Sequence, residues 1–553
     1  MDAPKSYITK TRQMPSNLTT LRNLPKGKGF PMRLLPPRED PLARAATEQY
    51  FGLEKVAKVM AKYHRSTISY EAMLSDLKRY DCKRAPRLED DLYCAVLQTV
   101  IEDILPKERI IPYKIEVVST LAEFPNTKSP GLPYKLEGFK TKREVIEAGK
   151  LSDISTTWRE IGFGKKPRLP DVCLFARSQL AKTGKEKIRA TWGYPLSVYM
   201  EEGRYFYPFQ DHIKSHEHNF PIAYGLEILN GGMAMIDTIV KRNENAKYVM
   251  TDWSQFDKTV PAWLIRDVFS IIGMAFDFSK ERDANGNIYH VRPAIAIKRW
   301  RYMINYFIDT PIRTCKGERF LALGGVPSGS CWTNIVDSVI NMILSRYLVF
   351  DTTGHFPADE IFLGDDAFLC VNGTVNLDDM ADLALRKFGM IMNVDKSYVT
   401  TQPANVHFLG YYNKSGNPFF SMDPLIASFI QPEYERSTLL ERCSAAIGQM
   451  YCCCDPGYAV LWYKIASSIA ASDNKTFEEV FIYTRDSYHR NKDLQQMGLT
   501  QEKMTVPSIC HDYIMDVLPP LNCRIFIRPR KYNYNELWER TILTFKDSPL
   551  DPE

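Results

Sequence analysis

No stretch of this chain approaches eighteen consecutive uncharged apolar residues, so a membrane-spanning helix is not expected. Paired Cys-x2-Cys knuckles are also missing. The twelve cysteines are scattered, and neighbouring side chains in Cys452-Cys453-Cys454 cannot all converge on one ion. Among nine histidines only His212, His216 and His218 approach ligand spacing. With no cysteine beside them they are expected to be satisfied or exposed rather than zinc-bound, and the thiols are expected to be reduced. No internal repeat is visible. The excess of positive charge is small, 71 Lys and Arg against 66 Asp and Glu, a net +5. It is concentrated, since residues 1–50 alone carry nine basic against four acidic side chains.

What the chain does have is length and apolar content: 553 residues, 44% hydrophobic, enough to bury a large core in a multi-lobed enzyme or a few subdomains. Its most informative string is Ile361-Phe-Leu-Gly364-Asp365-Asp366-Ala-Phe-Leu369, two carboxylates and a glycine between apolar, strand-like runs. A tight turn at Gly364 would put Asp365 and Asp366 at a hairpin tip. Burying such a pair is unfavourable unless a cation neutralises it, and a hard, magnesium-type ion suits carboxylate oxygens. Standing alone, the string would be no more than a hairpin turn with an acidic surface.

Two upstream segments change its weight. In Tyr248-Val-Met-Thr-Asp252-Trp-Ser-Gln-Phe-Asp257-Lys-Thr-Val-Pro261 a β-prone start is followed by Leu264, Ile265, Val268, Phe269 and Ile272 at helical spacing. Thr259 is the expected N-cap and Pro261 suits the first turn. Asp252 then sits at a strand end, able to face a metal held by Asp365 at a second strand end, as phosphoryl transfer with two ions requires. Further on, Gly324-Gly-Val-Pro-Ser328-Gly329-Ser-Cys-Trp-Thr333 is a glycine loop opening a helix with Ile335, Val339, Ile343 and Tyr347 on one stripe. Such a loop can bring its backbone close to a phosphate or sugar.

Asp-x4-Asp, Ser-Gly-x3-Thr and Gly-Asp-Asp, in this order within about 120 residues, resemble motifs A, B and C of viral RNA-dependent RNA polymerases. The form Gly-Val-Pro-Ser-Gly-Ser with Val-Asp-Ser-Val-Ile-Asn after it is similar to polymerases of partitiviruses and, more distantly, picobirnaviruses, whose genomes are double-stranded RNA. Thr127-Lys-Ser129-Pro-Gly131-Leu-Pro133 resembles the template-entry motif G, and Arg177-Ser-Gln-Leu-Ala-Lys182-Thr-Gly-Lys185-Glu-Lys187-Ile-Arg189 resembles motif F. Phe388-Gly-Met-Ile-Met-Asn-Val-Asp-Lys396 resembles motif D and His407-Phe-Leu-Gly-Tyr-Tyr-Asn motif E. The resemblance covers roughly residues 127–420. It implies an α+β right-hand fold of fingers, palm and helical thumb, and an RNA-directed RNA polymerase using Mg²⁺, with Mn²⁺ as a substitute.

The implied roles fall on particular residues. Asp252, Asp365 and Asp366 are the expected metal ligands and catalytic carboxylates, with Lys396 a proton donor to departing pyrophosphate. Motif F places five cations in thirteen positions; Lys182, Lys187 and Arg189 are expected at the triphosphate, Arg189 through a two-pronged contact that Lys cannot make. Asp257 would accept a hydrogen bond from the ribose 2′-hydroxyl, helped by Ser328, Gly329, Thr333, Asp337 and Asn341 around the nucleotide, and Thr127, Ser129, Gly131 and Pro133 would meet the template. The chain departs from the common positive-strand pattern four residues after Thr333, where Asp337 replaces Asn and the next Asn is Asn341. Carboxylates at 257 and 337 would repel unless one is protonated, metal-linked or bridged by a donor. Asp378 and Asp379 suit a helix start better than a metal.

The expected layout is a basic, proline-rich strap over 1–45, fingers over 46–245, palm over 246–280, a fingers insertion over 281–315, palm again over 316–422 and thumb with tail over 423–553. Prolines in the strap spoil the amphipathic helix that a mitochondrial signal needs, so a strap touching RNA or joining fingers to thumb is expected. Asn285-Gly286 and Ser415-Gly416 mark hairpins. Helices are expected near 42–62, 70–80, 87–105, 433–450, 457–472 and 476–491. The basic, aromatic tail from Arg524 either packs on the thumb or reaches the product cavity. Expected partners are template and product RNA, ribonucleoside triphosphates and a viral capsid protein, in the virion interior or host cytoplasm and without a membrane. The alternatives are a reverse transcriptase and a non-catalytic RNA-binding organiser within a capsid.

Overall fold

The computed structural model describes residues 19–518, apart from 33, 35, 217–219, 488–493, 495–498 and 500. His218, the first part of the strap and the tail from Arg524 lie outside the described residues. At the centre is a four-stranded antiparallel sheet in the order Asp359–Leu363, Asp366–Val371, Lys247–Thr251, Tyr398–Thr400. Its strands are nearly continuous in apolar residues because both faces are covered. Side-chain alternation sorts them: Val249, Ala367, Leu369 and Val371 face one core, with the buried helix Thr333–Thr353, and Tyr248, Met250, Phe368 and Cys370 face the other. Ile239 and Val240 of the helix Met233–Arg242, and helices farther along the chain, complete that second core.

A second, five-stranded sheet runs Leu21–Leu24, Arg319–Leu323, Asp309–Arg313, Val172–Ser178, Ile188–Gly193. It leaves Ile188–Gly193, the strand of Arg189, at an edge. The strap supplies the opposite edge strand and then crosses the molecule, Phe30 N–H donating to the Cys315 carbonyl and Asp40 N–H to the Ile430 carbonyl. Asp40 ends it as an ion pair with Arg442 at 2.8 Å and Arg436 at 3.6 Å. This strap joins the five-stranded sheet to the helical region formed by Leu439–Cys452, Pro456–Ala471 and Phe477–Asp486.

Both expected hairpins form, between Lys280–Arg282 and Ile288–His290 and between Tyr411–Lys414 and Asn417–Phe419. Ser415 and Gly416 have φ of 51° and 86°, the pair of positive values a primed two-residue turn requires. Asn376 caps the helix Leu377–Phe388 by accepting from the Asp378 and Asp379 N–H groups, so that acidic pair sits in a first turn. Thr259 is no N-cap: it closes a one-turn helix, Phe256–Thr259, its hydroxyl turned back to the Gln255 carbonyl, and the long helix Ala262–Met274 starts after Pro261. His212 Nε2 meets the Ile104 carbonyl and His216 Nδ1 the His212 carbonyl, while Cys453 and Cys454 thiols donate to backbone carbonyls. No helix of the described residues is long and apolar enough to cross a membrane.

Candidate active site

The register of the central sheet places the acidic residues at one end. Leu363 pairs with Asp366, leaving Gly364-Asp365 as a two-residue turn, and Ala367 pairs with Thr251. One further step along the antiparallel ladder sets Asp252 opposite Asp366. The turn needs glycine, since Gly364 has φ of 61°. The helix beneath grips it twice: Gly364 N–H donates to Ser338 Oγ at 2.8 Å, and Asn341 Nδ2 donates to its carbonyl at 3.1 Å. Asn341 is therefore brought to the underside of the turn, fully buried, rather than to the cleft. Asp252 is fixed through its backbone, its N–H donating to Ser397 Oγ at 2.9 Å and its carbonyl accepting from Asn393 N–H at 2.8 Å. Lys396, mostly exposed, holds its ammonium 3.9 Å from Asp252 Oδ1.

Burial first, and then the crowding of carboxylates, raises the pKa values of Asp365, Asp366 and Asp337. Burial, then the charges of Asp365 and Asp252, push Asp366 up to about 6. Asp365 is open to solvent but walled by protein, and it is raised by that desolvation and by Asp257 and Asp252, against its own backbone hydrogen bond and Arg189. Asp337 lies well above the carboxylate range because of burial first, then Asp257 and Asp365, with Arg189 opposing. Its Oδ1 has no hydrogen-bond partner among the described residues. Burial and the neighbouring carboxylates thus favour a proton on Asp337, which would relieve the expected conflict with Asp257.

Arg189 is the motif F cation whose charge reaches this centre. Lys182 and Lys187 are exposed and form no ion pair among the described residues; Lys182 lies on the strand paired with Tyr63–Arg65, and Lys187 N–H donates to Ser66 Oγ at 2.7 Å. The Ser328–Thr333 loop abuts the same edge strand so closely that a Cβ at Gly329 would lie 1.7 Å from the Trp192 carbonyl oxygen. Ser328 Oγ is buried without a partner among the described residues, and Thr333 donates to the Pro327 carbonyl at 2.5 Å. Of the expected template residues, Thr127 and Pro133 are exposed, Ser129 is half-buried, and Gly131 is buried against the Tyr194 carbonyl.

Among the described residues no three carboxylate, histidine or cysteine side chains form a closed metal-binding cluster. An open arrangement is what a magnesium site of this chemistry needs, since that ion keeps waters and takes one or two carboxylates together with substrate phosphates. Carboxylates raised by burial and by one another's charge suit a divalent cation that would offset both. From Asp366 a cavity of about 1250 Å³ extends past Leu409 and Tyr411 to Gly448 and Tyr483, with Arg65, Lys128 and Arg177 in its wall. Across it Arg177 grips Glu433 with two bonds of 2.8 and 2.6 Å.

A family model, viral RNA-dependent RNA polymerase, matches residues 43–441. The chain belongs to that family. It is 27% identical over 324 residues to the RNA-directed RNA polymerase of Atkinsonella hypoxylon virus, covering 51% of this chain and 47% of that protein. It is 26% identical over 295 residues to that of Cryptosporidium parvum virus 1, covering 52% of each. The chain thus spans about half the length of the curated relatives it matches. The crystal structure of a human picobirnavirus RNA-dependent RNA polymerase superposes with a TM-score of 0.59 at 14% identity, covering 88% of this chain and 94% of that one. The fold is therefore the right-hand polymerase fold expected from the motifs.

Some residues around the polymerase motifs carry no sign in the sequence. Ser338 reveals itself only by the turn it supports. Glu202, fully buried, accepts from Ser330 Oγ at 2.8 Å and Cys331 N–H at 2.9 Å, anchoring the glycine loop. Asp76 and Tyr80 lie some 170 residues before motif A, in a segment with no motif of its own. Lys258 stood inside the motif A string, where a single lysine says nothing of its neighbours.

Proposed function

We propose that the chain is an RNA-directed RNA polymerase that replicates and transcribes a viral double-stranded RNA genome, with Mg²⁺, or Mn²⁺ in its place, as the working ion. The observation that carries this reading is the meeting of Asp252, Asp365 and Asp366 at one sheet end, where the charge of Arg189 acts on Asp365. When bound, divalent ions lower the pKa of the attacking hydroxyl and stabilise the leaving pyrophosphate. The chain's own residues do the remaining work. Asp252 and Asp365 hold and orient, Asp366 assists, and Arg189 with Lys187 and Lys182 neutralises the triphosphate. Lys396, beside Asp252, is placed to give a proton to the departing group. Asp257, with Ser328, Gly329, Thr333 and protonated Asp337, reads the sugar, Asn341 bracing the turn from below.

In this reading residues 46–245 and 281–315 are fingers, 246–280 and 316–422 palm, and 423–553 thumb with tail, while Thr127, Ser129, Gly131 and Pro133 guide template. The partners are template and product RNA, ribonucleoside triphosphates and a capsid protein, and the setting is the virion interior or host cytoplasm. Comparing ribo- and deoxynucleotide incorporation on one RNA template separates this reading from a reverse transcriptase, which would favour the deoxy form.

Two further results are expected. Asp257→Ala should cost about 1–3 kcal/mol of discrimination against deoxynucleotides, because the acceptor for the 2′-hydroxyl is gone. Asp337→Asn should be milder, since a neutral amide replaces a carboxyl already carrying its proton. The kcat/KM ratio for ribo- and deoxynucleotides checks both, and an unchanged ratio in Asp257→Ala would move sugar recognition to the Ser328–Thr333 loop. The second concerns pH. Asp366, pushed up to about 6, is protonated below that value, and a cation must displace the proton. The Mg²⁺ concentration for half-maximal synthesis should rise about tenfold per pH unit below pH 6 and level off above about 7; an ordinary carboxylate would show no rise until about pH 4.

A further inference from the structure

Lys258 follows the sugar-reading carboxylate directly in sequence, yet its side chain is only 7% exposed. Its ammonium lies 3.7 Å from Asp257 Oδ1 and 3.4 Å from Asp76 Oδ1. Asp76 is itself 5% exposed, and its other oxygen accepts from the Ala190 N–H at 2.8 Å. Ala190 adjoins Arg189. One buried cation therefore links the carboxylate proposed to read the sugar with the carboxylate that pins the strand carrying the phosphate-facing arginine.

The surroundings leave this cation few substitutes. Lys258 is the ion-pair partner of Asp257 among the described residues. The Tyr80 hydroxyl lies 3.4 Å from Asp257 Oδ2 but 3.1 Å from the Val326 carbonyl, and its single proton serves the nearer acceptor. Arg84 clamps the backbone by donating to the carbonyls of Lys258 and Tyr80, while Val326 N–H donates to the Asp257 carbonyl at 2.6 Å. The main chain at 257–258 is thus held at both of its carbonyls. What remains adjustable is the Asp257 side chain, and the charge beside it is that of Lys258.

We propose that Lys258, shared between Asp257 and Asp76, is a positioning residue that aims the Asp257 carboxylate at the ribose and couples sugar recognition to the Arg189 strand. The role rests on the polymerase reading above. A buried ammonium 3.4 and 3.7 Å from two carboxylates holds both by charge, so its removal leaves Asp257 without an ion-pair partner among the described residues and Asp76 with only the exposed Arg79 at 3.6 Å. Asp257 would then turn or take up a proton, and in either state it accepts poorly from a 2′-hydroxyl.

The test compares kcat/KM for a ribonucleotide and its deoxy counterpart on one RNA template. Wild type, Lys258→Met, Lys258→Arg, Asp76→Asn, Asp257→Ala and the double variants that combine Asp257→Ala with Lys258→Met and with Asp76→Asn are measured together, with thermal melting of each. Lys258→Met should lower the ribo-to-deoxy ratio about tenfold, and Lys258→Arg should keep most of it. Added to Asp257→Ala, Lys258→Met should change the ratio less than about twofold, because its action passes through the missing carboxylate. Should Lys258→Met fail to fold, Asp76→Asn decides: Asn still accepts from Ala190, Lys258 loses its second anchor, and the ratio should fall about threefold, an effect absent from the Asp257→Ala background. Ribo and deoxy efficiencies that fall together, leaving the ratio unchanged in every foldable variant, would overturn the role and mark Lys258 as a structural ion pair. Wild type that incorporates neither nucleotide would overturn the polymerase reading and the proposal with it.

Discussion

Asp365→Asn is expected to reduce RNA synthesis by at least a hundredfold to a thousandfold, about 3–4 kcal/mol of transition-state stabilisation, while template RNA binds with nearly unchanged affinity. Asp365 occupies the turn itself, its backbone held by Ser338 and Asn341 through Gly364, so the amide should sit where the carboxylate sat. What is lost is charge and ligand strength for the ions. The basic side chains of the channel, Arg65, Lys128 and Arg177, are untouched. Single-turnover extension together with a filter-binding titration checks both halves. Synthesis above about one percent of wild type would remove Asp365 from the metal site.

Arg189→Ala should raise the nucleotide KM and lower kcat together, with kcat/KM falling about a hundredfold, or roughly 2.7 kcal/mol. The charge of Arg189 lowers both Asp365 and Asp337 against their burial, and in the proposed role it would neutralise charge that grows on the triphosphate during transfer. Arg189→Lys should recover only part, since the planar fork is lost. Lys187→Ala and Lys182→Ala should be milder, since of these cations it is Arg189 whose charge acts on Asp365 and Asp337. Wild-type kinetics in Arg189→Ala would show that another cation holds the triphosphate.

The motifs were legible because each is a local string with a local consequence. Gly364 between apolar runs could only be a tight turn, and its register then fixed where Asp365 and Asp366 would lie relative to Asp252. The hairpins at Asn285-Gly286 and Ser415-Gly416 were legible for the same reason, positive φ being written in the residue type. Less visible was whatever depends on meetings between distant segments. Nothing near Asp76 or Tyr80 announces that a strand over a hundred residues away will lay its Ala190 N–H against one, or that Lys258 will be buried between two acids. Asn341 was expected in the cleft because it is the next amide along the helix from Asp337; four residues is one further turn, and that turn carries it under Gly364 instead. Thr259 looked like a cap, but the chain inserted a one-turn helix and restarted after Pro261. The protonation of Asp337 was open in the sequence, where the conflict with Asp257 was plain but the burial that decides it was not.

In the proposed reaction, carboxylates at two strand ends, with a divalent ion, join ribonucleotides on an RNA template. The decisive measurement is extension of a labelled RNA primer on an RNA template, alongside the same template without primer, in Mg²⁺ and again with the ion chelated. Template-complementary RNA product is expected with ribonucleotides in at least one Mg²⁺ arm, with loss of all product on chelation and no comparable product from deoxynucleotides. Tight RNA binding with no extension in any arm, or preferred use of deoxynucleotides, would contradict it.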